Sequence, residues 1–295
     1  MKNNNKIFQL ILNLIFILFC IACVYPFLLL VGISFSNEMD VAKYGYKLIP
    51  MTFDLSAYKY IFQNPKSVIN AYKVTAIFSV TGTVLSVLLM SMIAYPLSKR
   101  NLRGKGKITF YLYFTTLFGG GMVPTYILIT QYLHLQDTYW VYILPSLISP
   151  WNIFMIRTFF QGLPGEIFES AKIDGASEYQ IFAKFVMPLS KPVLATIALL
   201  TFLGKWNEWY TSMLYINDDN LISLQYLLQR IMRNIDLIQQ SQSDASVGNM
   251  MSIYEIPAET VRMAMAVVVA GPALVVFPFF QKYFVKGLTV GSVKG

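Results

Sequence analysis

Residues Glu169 to Pro192 read ESAKIDGASEYQIFAKFVMPLSKP, a polar, helix-competent stretch between apolar runs. Pro164 sits early in a helical run that continues through Ile167, Phe168 and Ala171, and Gly175 follows as its left-handed C-cap. A second helix is predicted to open at Ser177, with Gln180 three residues on in a capping-box pattern. Tyr179, Phe182, Ala183 and Val186 recur at helical spacing and predict one apolar face, with Pro188 as the stop. The pattern is two short helices bent sharply at Gly175. Ala171 and Gly175 are small enough for another protein's backbone to approach. An amphipathic helix lying on the inner membrane face satisfies the same periodicity.

The composition places this loop in a membrane protein. The chain is 56% hydrophobic and 13% charged, with a mean hydropathy of +0.53, well outside the soluble range. A bilayer core of ~30 Å needs roughly 20 apolar residues per helix. Runs near 7–31, 73–97, 108–133, 139–160, 192–215 and 260–284 meet that length. The expectation is an all-α, polytopic protein with six transmembrane helices, forming one membrane domain over 1–295. The first run is too long for a signal peptide and lacks a small-residue cleavage site, so it predicts a retained anchor.

Lys and Arg placement sets the expected orientation. The 98–107 loop carries Lys99, Arg100, Arg103, Lys105 and Lys107, which puts it in the cytoplasm, whereas the 134–138 turn has neither residue type and belongs outside. The 32–72 loop is mixed, with Lys43, Lys47, Lys59 and Lys66 against Glu38, Asp40 and Asp54. Six spans with both termini cytoplasmic put the 162–191 loop inside and the 217–259 loop outside.

The 162–191 loop resembles the signature loop of importer permeases of the ATP-binding-cassette (ABC) family. Glu169, Ala171, Gly175 and Pro188 stand at the family spacing, and Ile173-Asp174-Gly175-Ala176 has the form of the carbohydrate-uptake branch. Ser170, Phe185 and Met187 depart mildly from the family pattern. Pro50, Phe53, Leu55 and Tyr58, then Tyr95-Pro96-Leu97-Ser98 and Pro124-Thr125-Tyr126, extend the resemblance along the chain. Lys286 to Gly295 is similar to the tail of a maltose-system permease, which reaches its ATPase dimer. Leu224-Gln225-Tyr226-Leu227-Leu228 looks closest to the complex-oligosaccharide permeases of Gram-positive bacteria.

The resemblance implies a type I ABC importer fold in the bacterial cell membrane, with 162–191 as the coupling loop. Glu169, Ala171, Asp174, Gly175, Ala176 and Pro188 would couple the chain to ATPase subunits. The implied partners are a second homologous permease subunit, two copies of an ATPase subunit, an extracellular solute-binding protein, an oligosaccharide and membrane lipid. This chain would bind no cofactor; ATP and Mg belong to the ATPase subunits. The same architecture also serves non-sugar solutes. An ion-coupled secondary transporter would need paired inverted repeats, and no second matching half is evident.

The fifth span carries Lys205, Trp206, Asn207, Glu208 and Trp209 in an otherwise apolar helix opened by Pro192. Ionisable groups within a span usually face a cavity or a partner. Trp206, Asn207, Glu208 and Trp209 suit a sugar, whose C–H face stacks on rings while its hydroxyls hydrogen-bond. A polar helix–helix contact or an interfacial Trp belt fits them equally. Arg157 reads as an inner-interface anchor. In the 217–259 loop, Ile222, Leu224, Leu227, Leu228 and Ile231 predict an amphipathic helix, and Gln239-Gln240-Ser241-Gln242-Ser243 is expected to break it. In the maltose-system relative the corresponding loop enters the docked binding protein and helps expel its ligand, and that resemblance implies a similar part for the polar stretch 236–250; a solvated linker fits the stretch equally.

Other chemistries find little support. The net charge of +8 lies mainly at span ends, where anionic headgroups account for it, so no nucleic-acid partner is expected. Cys20 and Cys23 share a face of the first span as small apolar residues. His134 is the one histidine, with no acidic cluster around it for a metal. No GxSxG elbow is present, so no catalytic residues are assigned. Gly119-Gly120-Gly121 lacks a following Lys-Ser or Lys-Thr, and permits close helix packing or a kink before Pro124.

Overall fold

The computed structural model describes residues 2–99, 101–243 and 257–291. These residues are almost wholly helical; the one β pairing among them is an isolated bridge between Ser36 and Phe53. Two compact units form, residues 1–68 with 228–272, and 69–227 with 273–295.

In the first unit, α1 (Lys2–Ser34) contains the membrane-length run Phe8–Ser34. Leu14, Leu18 and Phe27 are all exposed along it, as suits a surface covered by lipid or protein. Cys20 and Cys23 are free and exposed on the same helix. Just after α1, Phe35 stacks on Phe53 and Tyr58 at ring-centroid separations of 5.5 and 5.0 Å. Asn37 caps α2 (Glu38–Tyr44) by accepting the Met39 amide at 3.0 Å. Glu38 accepts the backbone amides of Glu259 and Thr260, both at 2.9 Å, at the start of α14 (Ala258–Gly291). Those donors are orphans of the first helical turn, and an acidic partner there also complements the helix dipole. A short helix, α3 (Ser56–Ile61), completes the segment before the next span.

The second unit is organised along α4 (Pro65–Ser98). One buried stripe of this helix changes character along its length. Val74 and Phe78 belong to one apolar cluster with Ile129, Tyr142, Tyr215 and Ile222. Met90, Ala94 and Leu97 belong to another with Ile153, Ile156 and Phe160. Between the two lie Ser79, Gly82, Thr83 and Ser86, small or polar; Ser79, Thr83 and Ser86 are buried.

Three helices are individually long and apolar enough to cross a bilayer: Phe8–Ser34, Pro65–Ser98 and Ala258–Pro278. The other three spans are broken, each for a local reason. α5 (Lys105–Leu117) and α6 (Met122–Ile127), the latter extended by a π turn to Tyr132, meet at 111°. Gly121 has φ +86° at this corner. Side chains added at Gly119 and Gly120 would meet nothing within 4 Å, so the run makes the kink and not a close packing. Turns of 3-10 helix over Tyr139–Ser146 meet α7 (Pro150–Gln161) at 53°. There Pro150 takes the first helical position, where no N–H is needed. The third break, of 78°, falls between Leu189 and Lys191.

Contacts group the loops at the two ends of α4. Asp137 accepts the Asn217 and Asp218 backbone amides and the Asn217 side-chain amide, and Asn70 donates to the Asn220 carbonyl at 2.8 Å. The 134–138 turn, the start of the 217–259 loop and the beginning of α4 therefore share one end. Lys99, from the basic loop, pairs with Glu178 of the 162–191 loop at 3.3 Å, so these two share the other.

Gly32 shows how tightly the segment after α1 is folded back. A methyl group there would stand 2.2 Å from the Leu48 carbonyl oxygen. Gly32→Ala is expected to cost about 1–3 kcal/mol or more by overpacking, lowering the unfolding temperature in detergent. Gly106→Ala, where an added carbon meets nothing within 4 Å, serves as the control and should not lower it. Equal melting temperatures for the two variants would contradict this packing.

Candidate functional site

The 162–191 loop folds as two short helices around one left-handed residue. α8 (Gly165–Ile173) ends at Asp174, and Gly175 follows with φ +78°. The Ala176 amide donates to the Ala171 carbonyl at 2.9 Å and the Gly175 amide to that of Lys172 at 3.0 Å. This pair of bonds is a Schellman motif, which requires a left-handed residue at the position of Gly175. The spacing Ala171, Gly175, Ala176 is thus a helix-termination geometry written in sequence. The second helix opens with the expected capping box: Ser177 Oγ accepts the Gln180 amide at 3.3 Å, and Gln180 Oε1 accepts the Ser177 amide at 2.8 Å.

Beyond the cap the helix departs from the sequence expectation. α9 (Glu178–Ile181) passes into a π turn over Phe182–Val186, then α10 (Met187–Leu189). Phe182 and Val186 pack on the apolar face as expected, and Ile181 and Phe185 join them there. Tyr179 is 83% exposed and Ala183 is exposed, so neither belongs to the apolar face predicted for them. Pro188 does not stop the helix. It lies within α10, and the π turn before it accommodates the missing N–H.

Ala171 is 6% exposed and packs into this chain's own apolar cluster, so it is not an open surface for another backbone. Glu169, Asp174, Gly175 and Pro188 are exposed and Ala176 half-buried. Ile173, 86% exposed, and Tyr179 project on either side of Gly175 as apolar knobs.

A charged network that the sequence reading did not find ties this loop to α4. Glu178 accepts a hydrogen bond from the Tyr95 hydroxyl at 2.6 Å and pairs with Lys172 at 2.7 Å and Lys99 at 3.3 Å. The Lys99 ammonium also lies 4.5 Å from the Tyr95 ring centroid. A cavity of about 640 Å³ opens beside this network, lined by Met92, Tyr95, Lys99, Lys172 and Tyr179 among others. The Lys172 contact, the Tyr95 hydrogen bond and the Lys99 charge hold the Glu178 carboxyl at about 2, against 4.5 for the free group. No short-range pattern marks this cluster, because Tyr95 and Lys99 at the end of α4 meet Lys172 and Glu178 from a loop more than seventy residues on.

The fifth-span residues divide between packing and cavity. α11 (Lys191–Trp206) ends at Asn207, and α12 (Tyr210–Tyr215) begins three residues later. Trp206 is buried, stacked 5.8 Å from Phe202 and tilted 6.4 Å from Tyr72. Asn207 is exposed and turns its amide back to the Leu203 carbonyl at 3.0 Å. Trp209 sets its ring edge-on to Tyr210 at 5.8 Å. Glu208 alone of the four lines a polar cavity of about 320 Å³, together with Lys205, Ser86, Ser146, Asn152 and Thr201. Its Oε1 accepts the Thr211 amide at 2.8 Å and so caps α12. Arg157 donates to Thr109 Oγ1 at 3.4 Å. Among the described residues no group of three metal-ligating side chains comes together, and His134 lies exposed with φ +49°.

The 217–259 loop contains α13 (Leu224–Ser243), on which Leu224, Leu228 and Ile235 are buried. The helix runs through the Gln239–Ser243 stretch that was expected to break it. Residues 244–256, and so part of the 236–250 stretch, lie outside the described residues, as do 292–295 of the C-terminal tail.

Membrane-length helices, a knobbed loop at one end and a polar cavity within the bundle define an integral membrane transport subunit. The chain belongs to the family described as "Binding-protein-dependent transport system inner membrane component", which it matches over residues 1–290. It is 41% identical over 272 residues to Protein LplC of Bacillus subtilis (strain 168), covering 92% of this chain and 90% of that one. It is 40% identical over 291 residues, 99% of each chain, to the polygalacturonan/rhamnogalacturonan transport system permease protein YtcP of the same strain. Among solved structures it is similar to a chain of a bacterial ABC transporter involved in the import of the acidic polysaccharide alginate. There the TM-score is 0.78 and the identity 28%, over 95% of this chain and 98% of that one. The protein is thus a multi-pass membrane component that works with other subunits, and not itself an enzyme.

A carboxyl whose value in the folded protein lies below its free value contributes stability above the free value and loses it as pH falls toward the lower one. The Glu178 network should therefore be unchanged between about pH 7 and about pH 5.5. Amide exchange over 172–181, corrected for intrinsic rates, is expected to show equal protection at those two pH values in the wild type. Glu178→Gln should speed exchange severalfold at both. A wild-type loop that loosens across that interval would show that some other group controls it.

Proposed function

We propose that this chain is one of two different permease subunits of an ATP-driven importer, moving an oligosaccharide inward across the cytoplasmic membrane. The observation that carries the coupling role is the Schellman-terminated loop, which thrusts Ile173 and Tyr179 outward on either side of Gly175. These two exposed side chains, held by a fixed bend, offer a partner protein apolar contacts on a loop that is otherwise polar. The carbohydrate assignment draws on the relatives, whose names include a polygalacturonan/rhamnogalacturonan permease and an arabinooligosaccharide permease.

In this reading residues 162–191 dock on one of two ATPase subunits, which bind ATP and Mg; this chain binds neither. Glu169 and Asp174 face the ATPase, while Ala171, Gly175, Ala176 and Pro188 fix the loop's shape. Both termini are cytoplasmic, membrane lipid surrounds the exposed apolar helices, and residues 1–295 act as a single membrane domain. A solute-binding protein docks outside against the second permease subunit and the 217–259 loop. Closure of the ATPases pushes the loop as a lever and reopens the spans outward, a rigid-body switch.

Purification of this chain from its native membrane should bring an ATPase subunit with it, and isolation without one would refute the assembly. Gly175→Asp should abolish solute uptake while leaving the chain in the membrane, because a side chain at φ +78° costs about 1–2 kcal/mol and deforms the turn. Normal uptake by that variant would remove the loop from coupling. Shortening 236–250 should spare assembly but blunt the stimulation of ATP hydrolysis by loaded binding protein; unchanged stimulation would dismiss a role for that stretch.

A further inference from the structure

The segment after α1 turns back toward the membrane-length helix it has just left. The apolar run Phe8–Ser34 has 27 residues, about 40 Å at 1.5 Å per residue, which exceeds a hydrocarbon core of ~30 Å. Gly32, near the end of that run, therefore falls where hydrocarbon meets headgroups. The Leu48 carbonyl oxygen packs so closely on Gly32 that an added methyl would stand 2.2 Å from it. Residues around Leu48 are thus held near that depth. A second hold comes from Tyr46, whose hydroxyl donates to Glu259 at 3.0 Å in the first turn of α14.

What this segment exposes suits a lipid boundary. Tyr44, Leu48, Ile49, Met51 and Phe53 are all exposed, Ile49 to 77%. Between Val41 and Phe53 the only charged residues are Lys43 and Lys47. Their ammonium groups lie 5.1 and 5.0 Å from the Tyr44 ring centroid, so two like charges share one ring, and Lys47 Nζ also reaches the Met51 sulfur at 3.0 Å. Among the described residues neither lysine is in an ion pair. The neighbouring carboxylates are engaged elsewhere. Glu38 caps α14, Glu259 meets Tyr46 and Arg262, Asp54 accepts the Ser56 amide and the Asn37 side chain, and Asp40 has Oδ2 buried.

Apolar side chains, an aromatic ring and unpaired ammonium groups at one depth match the layers of a leaflet, from acyl chains to phosphates. A docked acidic protein would also meet the lysines, but the bilayer is the surface that α1 already fixes at this level. We propose that residues 43–53 form an interfacial anchor in the leaflet at the Ser34 end of α1. Lys43 and Lys47 bind the phosphate of an anionic phospholipid, and Ile49 and Met51 enter the acyl region beneath it. The anchor requires only that α1 crosses the membrane and is independent of the solute carried.

The test uses the complete importer, purified with its co-expressed partner subunits, held in nanodiscs and freed of other cysteines. A bimane fluorophore is attached at Ile49→Cys, at Met51→Cys as a second reporter, and at Phe27→Cys on α1 as the lipid-facing reference. The quenchers are aqueous iodide and nitroxide-labelled phosphatidylcholine or phosphatidylglycerol at equal fractions. The Ile49 and Met51 reporters are expected to be quenched by both lipids, as at Phe27, with phosphatidylglycerol severalfold more effective than phosphatidylcholine. Lys43→Gln with Lys47→Gln should erase that advantage and leave quenching by phosphatidylcholine intact, whereas Lys43→Arg with Lys47→Arg should keep it. No advantage in wild type, or one that survives the double glutamine variant, would overturn the proposal. Quenching by iodide alone would put the segment in water and overturn it too. Quenching by none of the three would mean that a protein covers the segment, which would replace the lipid with a docked partner.

Discussion

Hydrocarbon offers no hydrogen bonds, so each polar group and each broken turn within a span must be answered inside the protein. This constraint explains most of what is unusual in the chain. Three spans are interrupted, and the interruptions use residues that remove or redirect backbone groups: glycine at positive φ beside Met122, proline at the head of α7, and a π turn before Pro188. Where side chains are polar, they gather. Tyr142, Ser212, Ser223 and the Leu221 carbonyl form one connected hydrogen-bond group near the end that holds the start of the 217–259 loop. Ser146 and Lys205 form another in the cavity below it.

The elements legible in the sequence were those whose cause is local. Apolar length gave all six spans, and the capping residues at Ser177 and the glycine at 175 gave the loop its two helices and its bend. The kink at Gly119 to Gly121 was also legible as one of two alternatives. The misses share a different origin. The helical period predicts Tyr179, Phe182, Ala183 and Val186 on the buried face; Phe182 and Val186 pack there, while Tyr179 and Ala183, the latter inside a π turn that no composition announces, are exposed. The glutamine-rich end of α13 was taken for a breaker on polarity alone, although glutamine is a good helix former and the helix runs on to Ser243.

The candidate site shows the same division more sharply. Lys205 to Trp209 stood out as polar residues in an apolar run, yet burial assigned them separate tasks. Trp206 is packing against Phe202, Asn207 ends a helix, Glu208 caps the next, and the cavity belongs to Lys205 with Ser86, Ser146 and Thr201. Thr201 shares α11 with Lys205, but Ser86 and Ser146 lie on two other stretches of chain. Only the packing of α4 and the Tyr139–Ser146 turns against α11 brings them together. The one local trace is Gly82, a glycine in the middle of a long helix, where it would otherwise be a weak choice.

The 162–191 loop and the cavity are bounded by the same two helices. α4 is bonded to the loop through Tyr95 and Lys99 at Glu178, and four turns away on the same helix Gly82 rests against the Lys205 side chain. α11 leaves the loop at Lys191 and reaches Lys205 after fourteen residues, roughly 20 Å of uninterrupted helix. A helix of that length transmits displacement with little bending, because each turn is held by its own backbone bonds. The bends at Gly175 and Ser190 lie at one end of this lever and the break at Asn207 at the other. If the loop is driven as proposed above, those breaks are where the displacement would be taken up, and Lys205 in the cavity wall lies next to the last of them.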